Sequence, residues 1–185
     1  HPEFPRDIYS ANKSVSEKYV LIYCQAHNIR GTVVRLSNVF GPRASIHSSE
    51  FTFNNFFIGL ALQNKAITVF GKGEQKRNVT YVDDAVNALI LASQNEKTNG
   101  QVFFAVSDEH ISVAEIAKLT VEHIGSGRVD FIDWPQGRKN IDIGDAIISN
   151  KKIKSTLDWS PQVNLINGLG LTKKYYHSCL DKYFS

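Results

Sequence analysis

Tyr9 and Lys13 stand four residues apart, so on a helix both side chains share one face. Chemically, that is a way to make a phenol act as a base. A free tyrosine has a pKa of about 10, which must fall by roughly three units, or ~4 kcal/mol, for proton abstraction near neutrality. One ammonium ~4 Å away at an effective dielectric of ~20 supplies about 4 kcal/mol, so a lysine is adequate in magnitude. The spacing alone is not diagnostic, because a chain with seven Tyr yields roughly half a Tyr-x-x-x-Lys match by chance. Asn38 follows an apolar strand, at the end where loops of an α/β sheet commonly face ligand; the alternative is that it only stabilises the turn before Gly41-Pro42.

Other chemical features carry less. Gly71-x-Gly73 and Gly125-x-Gly127 lack the third glycine and the strand-to-helix setting of a dinucleotide loop, and read as turns. The six His show no close metal-ligand spacing, and with two distant Cys no metal site is expected. Asp83-Asp84 reads as a helix N-terminus, where carboxylates meet free N–H groups and the dipole. Trp159 reads as a packing anchor.

The elements that must position these residues alternate between helix and strand. Pro2 and Pro5 hold the first residues extended. From Tyr9 to about His27 there is no Pro or Gly, and Val15, Tyr19, Ile22, Tyr23 and Ala26 share a helical face. Val20, Leu21 and Cys24 make the second half apolar nearly all round, so a second covering surface is expected, with Val20 and Cys24 on the outward side. Gly31 ends that unit. Residues 32–36 read as a buried strand, followed by a loop at Phe40-Gly41-Pro42. A helix is predicted over 53–63, a strand over 66–70, and a helix over 85–93 with Asp83 as N-cap. A strand over 101–106 precedes a helix opened by a capping box, Ser112-Val113-Ala114-Glu115. A strand over 128–132, a short helix through Leu157 capped by Ser149, and a last helix from about Leu165 towards Tyr183 complete an α/β pattern. No linker separates independent domains.

The chain has 185 residues, 42% of them hydrophobic and 21% charged, which excludes a disordered polymer. A net charge of +3 is too small to argue for nucleic acid or an anionic membrane as partner. The longest apolar run, Tyr19 to Cys24, is six residues, too short to span a bilayer. Two Cys make no disulfide framework, and a cytoplasmic location is the expectation. There is no Met, and His1-Pro2-Glu3-Phe4 is no signal peptide, so the chain is expected to be a piece of a longer protein.

Four segments, in order, resemble the extended short-chain dehydrogenase/reductase family, specifically its NAD-dependent nucleotide-sugar epimerases and dehydratases. They are Tyr9-Ser10-Ala11-Asn12-Lys13 with Glu17 following; Arg35-Leu36-Ser37-Asn38-Val39-Phe40-Gly41-Pro42-Arg43; Val69-Phe70-Gly71-Lys72-Gly73-Glu74-Gln75-Lys76-Arg77 running into Tyr81-Val82-Asp83-Asp84; and Leu157-Asp158-Trp159-Ser160-Pro161. The last resembles a Leu-Gly-Trp-x-Pro element with Asp158 in place of Gly.

The resemblance implies the C-terminal part of a Rossmann-type doubly wound parallel sheet plus a smaller α/β substrate-binding domain. Residues 1–45 would end the NAD-binding domain and carry the Tyr-x-x-x-Lys helix. Residues 46–185 would form mainly the substrate-binding domain, with segments near 79–106 returning to the Rossmann sheet. Tyr9 would be the base, with Lys13 lowering its pKa and holding the nicotinamide ribose, and the backbone at Leu36 and Val39 would border the nicotinamide. Asn38 and Arg77 would hold the substrate's diphosphate, Val69 would offer its backbone to the nucleotide, and Arg138 would lie in a late loop that closes on it. Lys72 and Lys76 read as solvated loop, the alternative also weighed for Arg77. Arg138 could equally be a surface arginine.

The resemblance further implies NAD as cofactor, a nucleoside-diphosphate sugar as substrate and a homodimer. The expected reaction is epimerisation through transient oxidation at C4. The alternatives are a 4,6-dehydratase or decarboxylase of the same family, or a non-catalytic nucleotide-sugar-binding module. The Gly-rich dinucleotide loop and the triad Ser/Thr are expected upstream of His1, so residues 1–185 alone are expected to bind NAD weakly.

Overall fold

In the computed structural model, residues 3, 5–49, 52–139 and 142–184 are described. Pro2, expected to hold the N-terminal lead extended, lies outside them. Helix α1 (Ile8–His27) begins at a capping box: Ser10 N–H donates to the Asp7 carboxylate at 2.7 Å, and Ser10 Oγ accepts from the Asp7 N–H at 3.3 Å. It ends at Asn28, in the left-handed region, before Gly31 is reached. Gly31 has a different duty. A Cβ there would lie 2.5 Å from Cys24 Sγ, so its absence lets the returning chain pass against the helix.

The chain then runs through β1 (Val33–Leu36), β2 (Val39–Phe40), α2 (Phe53–Leu62), β3 (Ala66–Phe70), β4 (Lys76–Arg77), β5 (Thr80–Tyr81) and α3 (Val82–Gln94). A 3-10 turn at Glu96–Thr98 leads to β6 (Val102–Ala105), β7 (Ile111–Ser112), α4 (Val113–Ile124) and β8 (Arg128–Ile132). The last elements are α5 (Lys151–Leu157), α6 (Leu165–His177) and α7 (Asp181–Phe184). β1 pairs in parallel with β6, β2 with β5 and β3 with β8, and β4 pairs antiparallel with β7. This is an α/β fold with helical crossovers, as the alternating pattern requires.

Two apolar cores form. The larger gathers Phe40, Ile58, Ile67, Val69, Ile116, Leu169 and Tyr176 between α2, α4, α6 and β3. The smaller packs Ala88 and Ala92 of α3 against Phe103, Ala105, Ile153, Leu157 and Trp159. Trp159 is the anchor its sequence context indicated: it is buried, and its Nε1 donates to the Asp84 carbonyl at 3.1 Å. Asp158 is the C-cap of α5 at φ 51°, ψ 30°. That left-handed conformation is one glycine adopts without strain and aspartate tolerates, which accounts for the exchange in the Leu-Gly-Trp-x-Pro element.

Several expectations change. The strand at 32–36 is half-buried rather than buried, with Leu36 exposed, because β6 is its sole strand partner among the described residues. α1 turns Val15, Tyr19, Ile22 and Tyr23 to solvent, whereas Cys24, expected outward, is buried. α3 begins at Val82, with Tyr81 and not Asp83 at the cap position. Asp84 is buried and does not serve its own helix end: its two carboxylate oxygens accept from the N–H groups of Gln162 (2.9 Å) and Val163 (3.0 Å). Asn150, not Ser149, caps α5, although Lys151 N–H does reach Ser149 Oγ at 3.3 Å. The last helix breaks after His177, and α7 follows as a separate turn.

Asp84 thus fastens the 159–163 loop to α3. Replacing Asp84 by Ala should lower the unfolding free energy of the intact protein by about 2 kcal/mol, since two backbone donors lose their side-chain acceptors. Asp84→Asn keeps one acceptor oxygen and should lose less. Denaturant titration measures both, and an Ala variant as stable as the parent refutes the tether.

Candidate functional site

The cap at Asp7 sets the phase of α1, and with it the positions of Tyr9 and Lys13. The two side chains do meet on one face: Lys13 Nζ lies 5.7 Å from the centroid of the Tyr9 ring. Tyr9 is 71% exposed. Both line a groove of about 910 Å³ that runs along the contact of α1 with β1, with Val34, Leu36 and Phe104 among its apolar walls. A smaller cavity of about 370 Å³, at Gly31 and Asn99, contains none of the candidate residues.

An ion pair ties α1 to β1. Arg35 donates through Nε to Glu17 Oε2 at 2.7 Å and through Nη2 to Glu17 Oε1 at 2.6 Å, the two-pronged match of guanidinium and carboxylate. The hydrogen bonds to Glu17 raise the Arg35 pKa above its usual value against the opposing effect of burial, with Glu3 adding to the rise. Arg35 also lies over the Phe104 ring at 5.1 Å. Both residues stood in the motifs read from sequence, but their pairing did not.

Asn38 occupies the turn between β1 and β2 at φ 42°. Its Nδ2 donates to the Asn78 carbonyl at 3.0 Å and to Ser37 Oγ at 3.2 Å, so the turn-stabilising role is present in the geometry. Its carbonyl accepts from Asn54 Nδ2 at 3.0 Å. Next door, Asn55 Oδ1 accepts from Gly41 N–H at 3.2 Å. Asn54 and Asn55, both buried, therefore bind the turn to the start of α2. Sequence reasoning passed over them, although two adjacent amides in an otherwise apolar helix are a signal that buried polar groups have partners. Leu36 lines the groove, whereas Val39 is paired to Thr80 in β2 and is not among its lining residues.

Arg77 is not a solvated loop residue. Its Nη1 donates to the carbonyls of Lys76 (2.8 Å) and Gly144 (2.5 Å), and Nη2 lies 3.6 Å from Asp142 Oδ1. Burial pulls its pKa below the usual arginine value, opposed by the carboxylates of Asp142 and Asp145. Lys72 is exposed, as expected of a solvated loop, whereas Lys76, though exposed, is not in a loop: it lies in β4, paired with Ser112 of β7. Val69 is buried in β3, backbone and side chain alike, and is registered against Phe131 of β8. Arg138 is exposed, with its guanidinium 5.8 Å from the Phe70 ring centroid, beside Val69.

The structure thus brings the candidates together in three groups. Tyr9, Lys13 and Leu36 share the groove. Asn38 and Arg77 meet through Asn78, whose carbonyl accepts from Asn38 and whose peptide follows Arg77. Val69 and Arg138 meet at Phe70. No group of three or more His, Cys, Asp or Glu side chains among the described residues could hold a metal ion.

Residues 1–105 match the sequence model of the NAD dependent epimerase/dehydratase family. Among curated proteins, the chain is 35% identical to UDP-glucuronic acid decarboxylase 1 of Xenopus tropicalis, over 98% of the chain and 41% of that protein. It is 29% identical to a putative UDP-glucose 4-epimerase of Methanocaldococcus jannaschii, over 91% of the chain and 53% of that protein. Among solved structures, UDP-glucose 4-epimerase of Thermotoga maritima with UDP-glucose superposes with a TM-score of 0.82 at 29% identity, covering 93% of this chain and 54% of that one. The chain therefore spans about half the length of such relatives, and it belongs to the NAD dependent epimerase/dehydratase family.

Proposed function

We propose that this chain supplies the base and the substrate-binding half of an NAD-dependent nucleotide-sugar epimerase that works by transient oxidation at C4. The observation that carries this reading is continuity. The groove with Tyr9 and Lys13 follows β1 to Leu36, and two residues later Asn38 is bonded to the peptide beside Arg77. A proton acceptor and a diphosphate anchor are thereby joined through one strand end, the location where α/β sheets bind ligands. Residues 1–45 make up the NAD-facing part in this reading, and residues 46–185 mainly the substrate-binding part, with segments near 79–106 returning to the sheet.

The residues present suit the nicotinamide end of the cofactor. A phenol and an ammonium share a groove of about 910 Å³ with apolar walls. No Gly-x-Gly-x-x-Gly occurs in the 185 residues to cradle a pyrophosphate. When bound, NAD supplies the reversible two-electron oxidation. Tyr9 takes the proton of the C4 hydroxyl as the carbon is oxidised and returns it on reduction, while Lys13, on the same helical face, holds the ribose. Arg77 and Asn38 hold the diphosphate in the ground and transition states alike, with Val69 and Arg138 beside the nucleotide. Epimerisation follows when the keto sugar is reduced on its other face.

A second reading has its own support in the 35% identity to a UDP-glucuronic acid decarboxylase. There the same C4 oxidation would precede loss of carbon dioxide from the neighbouring carboxylate. Incubation of the full-length protein with UDP-glucose and UDP-glucuronic acid, followed by product analysis, separates the two. An interconverted hexose supports epimerisation, a pentose with carbon dioxide supports decarboxylation, and no product from either, or from dTDP-, GDP- and CDP-sugars, removes both.

Three expectations follow from these assignments. Tyr9→Phe keeps the ring but not the acceptor, and turnover should fall by at least ~10²-fold; near-normal turnover excludes Tyr9 as base. Arg77→Ala removes a charge-assisted contact of roughly 2–3 kcal/mol, so affinity for the nucleoside diphosphate should drop about 30- to 150-fold by calorimetry. An unchanged affinity leaves Arg77 a loop tether only. The exposed Tyr19, Ile22 and Tyr23 of α1 support a homodimer through this helix. In light scattering the parent should run as a dimer and Ile22→Asp as a monomer, because the variant would bury an unpaired charge. A monomeric parent ends the dimer proposal.

A further inference from the structure

Asn78, directly after β4, is completely buried and bonds to three other segments. Its Nδ2 donates to the Ser107 carbonyl at 2.8 Å, with the Glu109 carbonyl at 3.4 Å, and its Oδ1 accepts from Ile148 N–H at 3.0 Å. Its own carbonyl accepts from Asn38 Nδ2 at 3.0 Å and Ser37 Oγ at 3.4 Å. One residue therefore joins the turn after β1, the end of β4, the loop after β6 and the irregular stretch 142–148. That stretch is laced to β4 along its length: Lys76 N–H donates to Asp145 Oδ1 at 2.8 Å and Ala146 N–H to the Lys76 carbonyl at 3.0 Å. It also brings the Gly144 carbonyl and the Asp142 carboxylate to the Arg77 guanidinium. The bond from Ile148 to Asn78 fastens its C-terminal end.

We propose that Asn78 is a positioning residue for diphosphate recognition: through Ile148 it holds the strap that aims Arg77, and through its carbonyl it holds the amide of Asn38. The inference rests on the reading of Arg77 and Asn38 as diphosphate ligands. The physical reason is preorganisation. A guanidinium already fixed by neighbouring oxygens loses less freedom on binding an anion, and small misplacements of such a group are expensive. A carboxamide suits the task because it donates to one loop and accepts from another without burying a charge.

The test uses the full-length protein and calorimetry with UDP, dTDP, GDP and CDP, then the monophosphate of whichever binds tightest. Asn78→Ala should weaken the diphosphate about 10-fold and the monophosphate less than about 2-fold, because loss of the Ile148 tether misaims Arg77, which affects the diphosphate selectively, while the main-chain carbonyl that holds Asn38 remains. In combination with Arg77→Ala, Asn78→Ala should add about 3-fold or less, as coupled residues do. Ile148→Pro deletes the same bond from its donor side and should reproduce the selective loss, which keeps the proposal testable if Asn78→Ala does not fold.

Equal losses for diphosphate and monophosphate, or fully additive losses with Arg77→Ala, overturn the positioning role. If Arg77→Ala weakens the diphosphate while Asn78→Ala and Ile148→Pro do not, this inference alone fails. If Arg77→Ala has no effect, or the parent binds none of the four, the reading of the diphosphate site fails and this one with it.

Discussion

A parallel strand pair cannot be closed by a hairpin, and most of this molecule follows from that constraint. Val33 of β1 is registered against Val102 of β6, Val39 against Thr80, and Ala66 against Arg128, so the intervening chain must travel as helical crossovers. The crossovers bury apolar faces on α2, α3 and α4 and leave irregular backbone at the strand ends. Those ends are where ligands can reach, and also where backbone donors and acceptors need partners. Leu36 ends β1 and Asn38 follows it at such an end, whereas Arg77 ends β4, which pairs antiparallel with β7.

The partners are supplied mainly by carboxamides. Asn38, Asn54, Asn55, Asn78 and Asn150 each bond to backbone atoms of a segment other than their own. A neutral amide can do this inside the fold without the desolvation cost of a buried charge. Carboxylates do the same at other points: Asp84 is matched by two N–H donors, Asp145 accepts from Lys76 N–H and Glu109 from Leu165 N–H. The two central arginines differ in the same terms. Arg35 is closely matched by Glu17, and those bonds raise its pKa. Arg77 rests on carbonyls with a longer approach to Asp142, and burial lowers its pKa.

α1 stands apart energetically. It contributes to neither apolar core and is held by its Asp7 cap, by the Glu17–Arg35 pair, and by Cys24 lying against Gly31. Several large apolar side chains on it face solvent, each worth roughly 1.5–3 kcal/mol if covered. Polar anchoring fixes the position of Tyr9 and Lys13 over β1, while the apolar remainder of the helix is free to pack on something else.

Much of the local structure was legible in the residues. The strand at 66–70, the helix from Phe53, the cap at Ser112 and the shared face of Tyr9 and Lys13 depend on periodicity and on neighbours within four positions, and sequence contains that information directly. Composition and motif order were sufficient for the α/β class and the family. The partners of Asp84, Asn78, Asn54 and Arg77 were not legible, because each is chosen by a segment distant in sequence. Asp83-Asp84 looked like a helix cap because that is the nearest set of free donors, yet packing of Trp159 brings Gln162 and Val163 closer to the carboxylate. Strand 32–36 looked buried because Val33, Val34 and Leu36 are apolar, whereas burial depends on how many strands lie beside it. Local propensity is a property of the chain; which loop meets which side chain is decided only when the crossovers close.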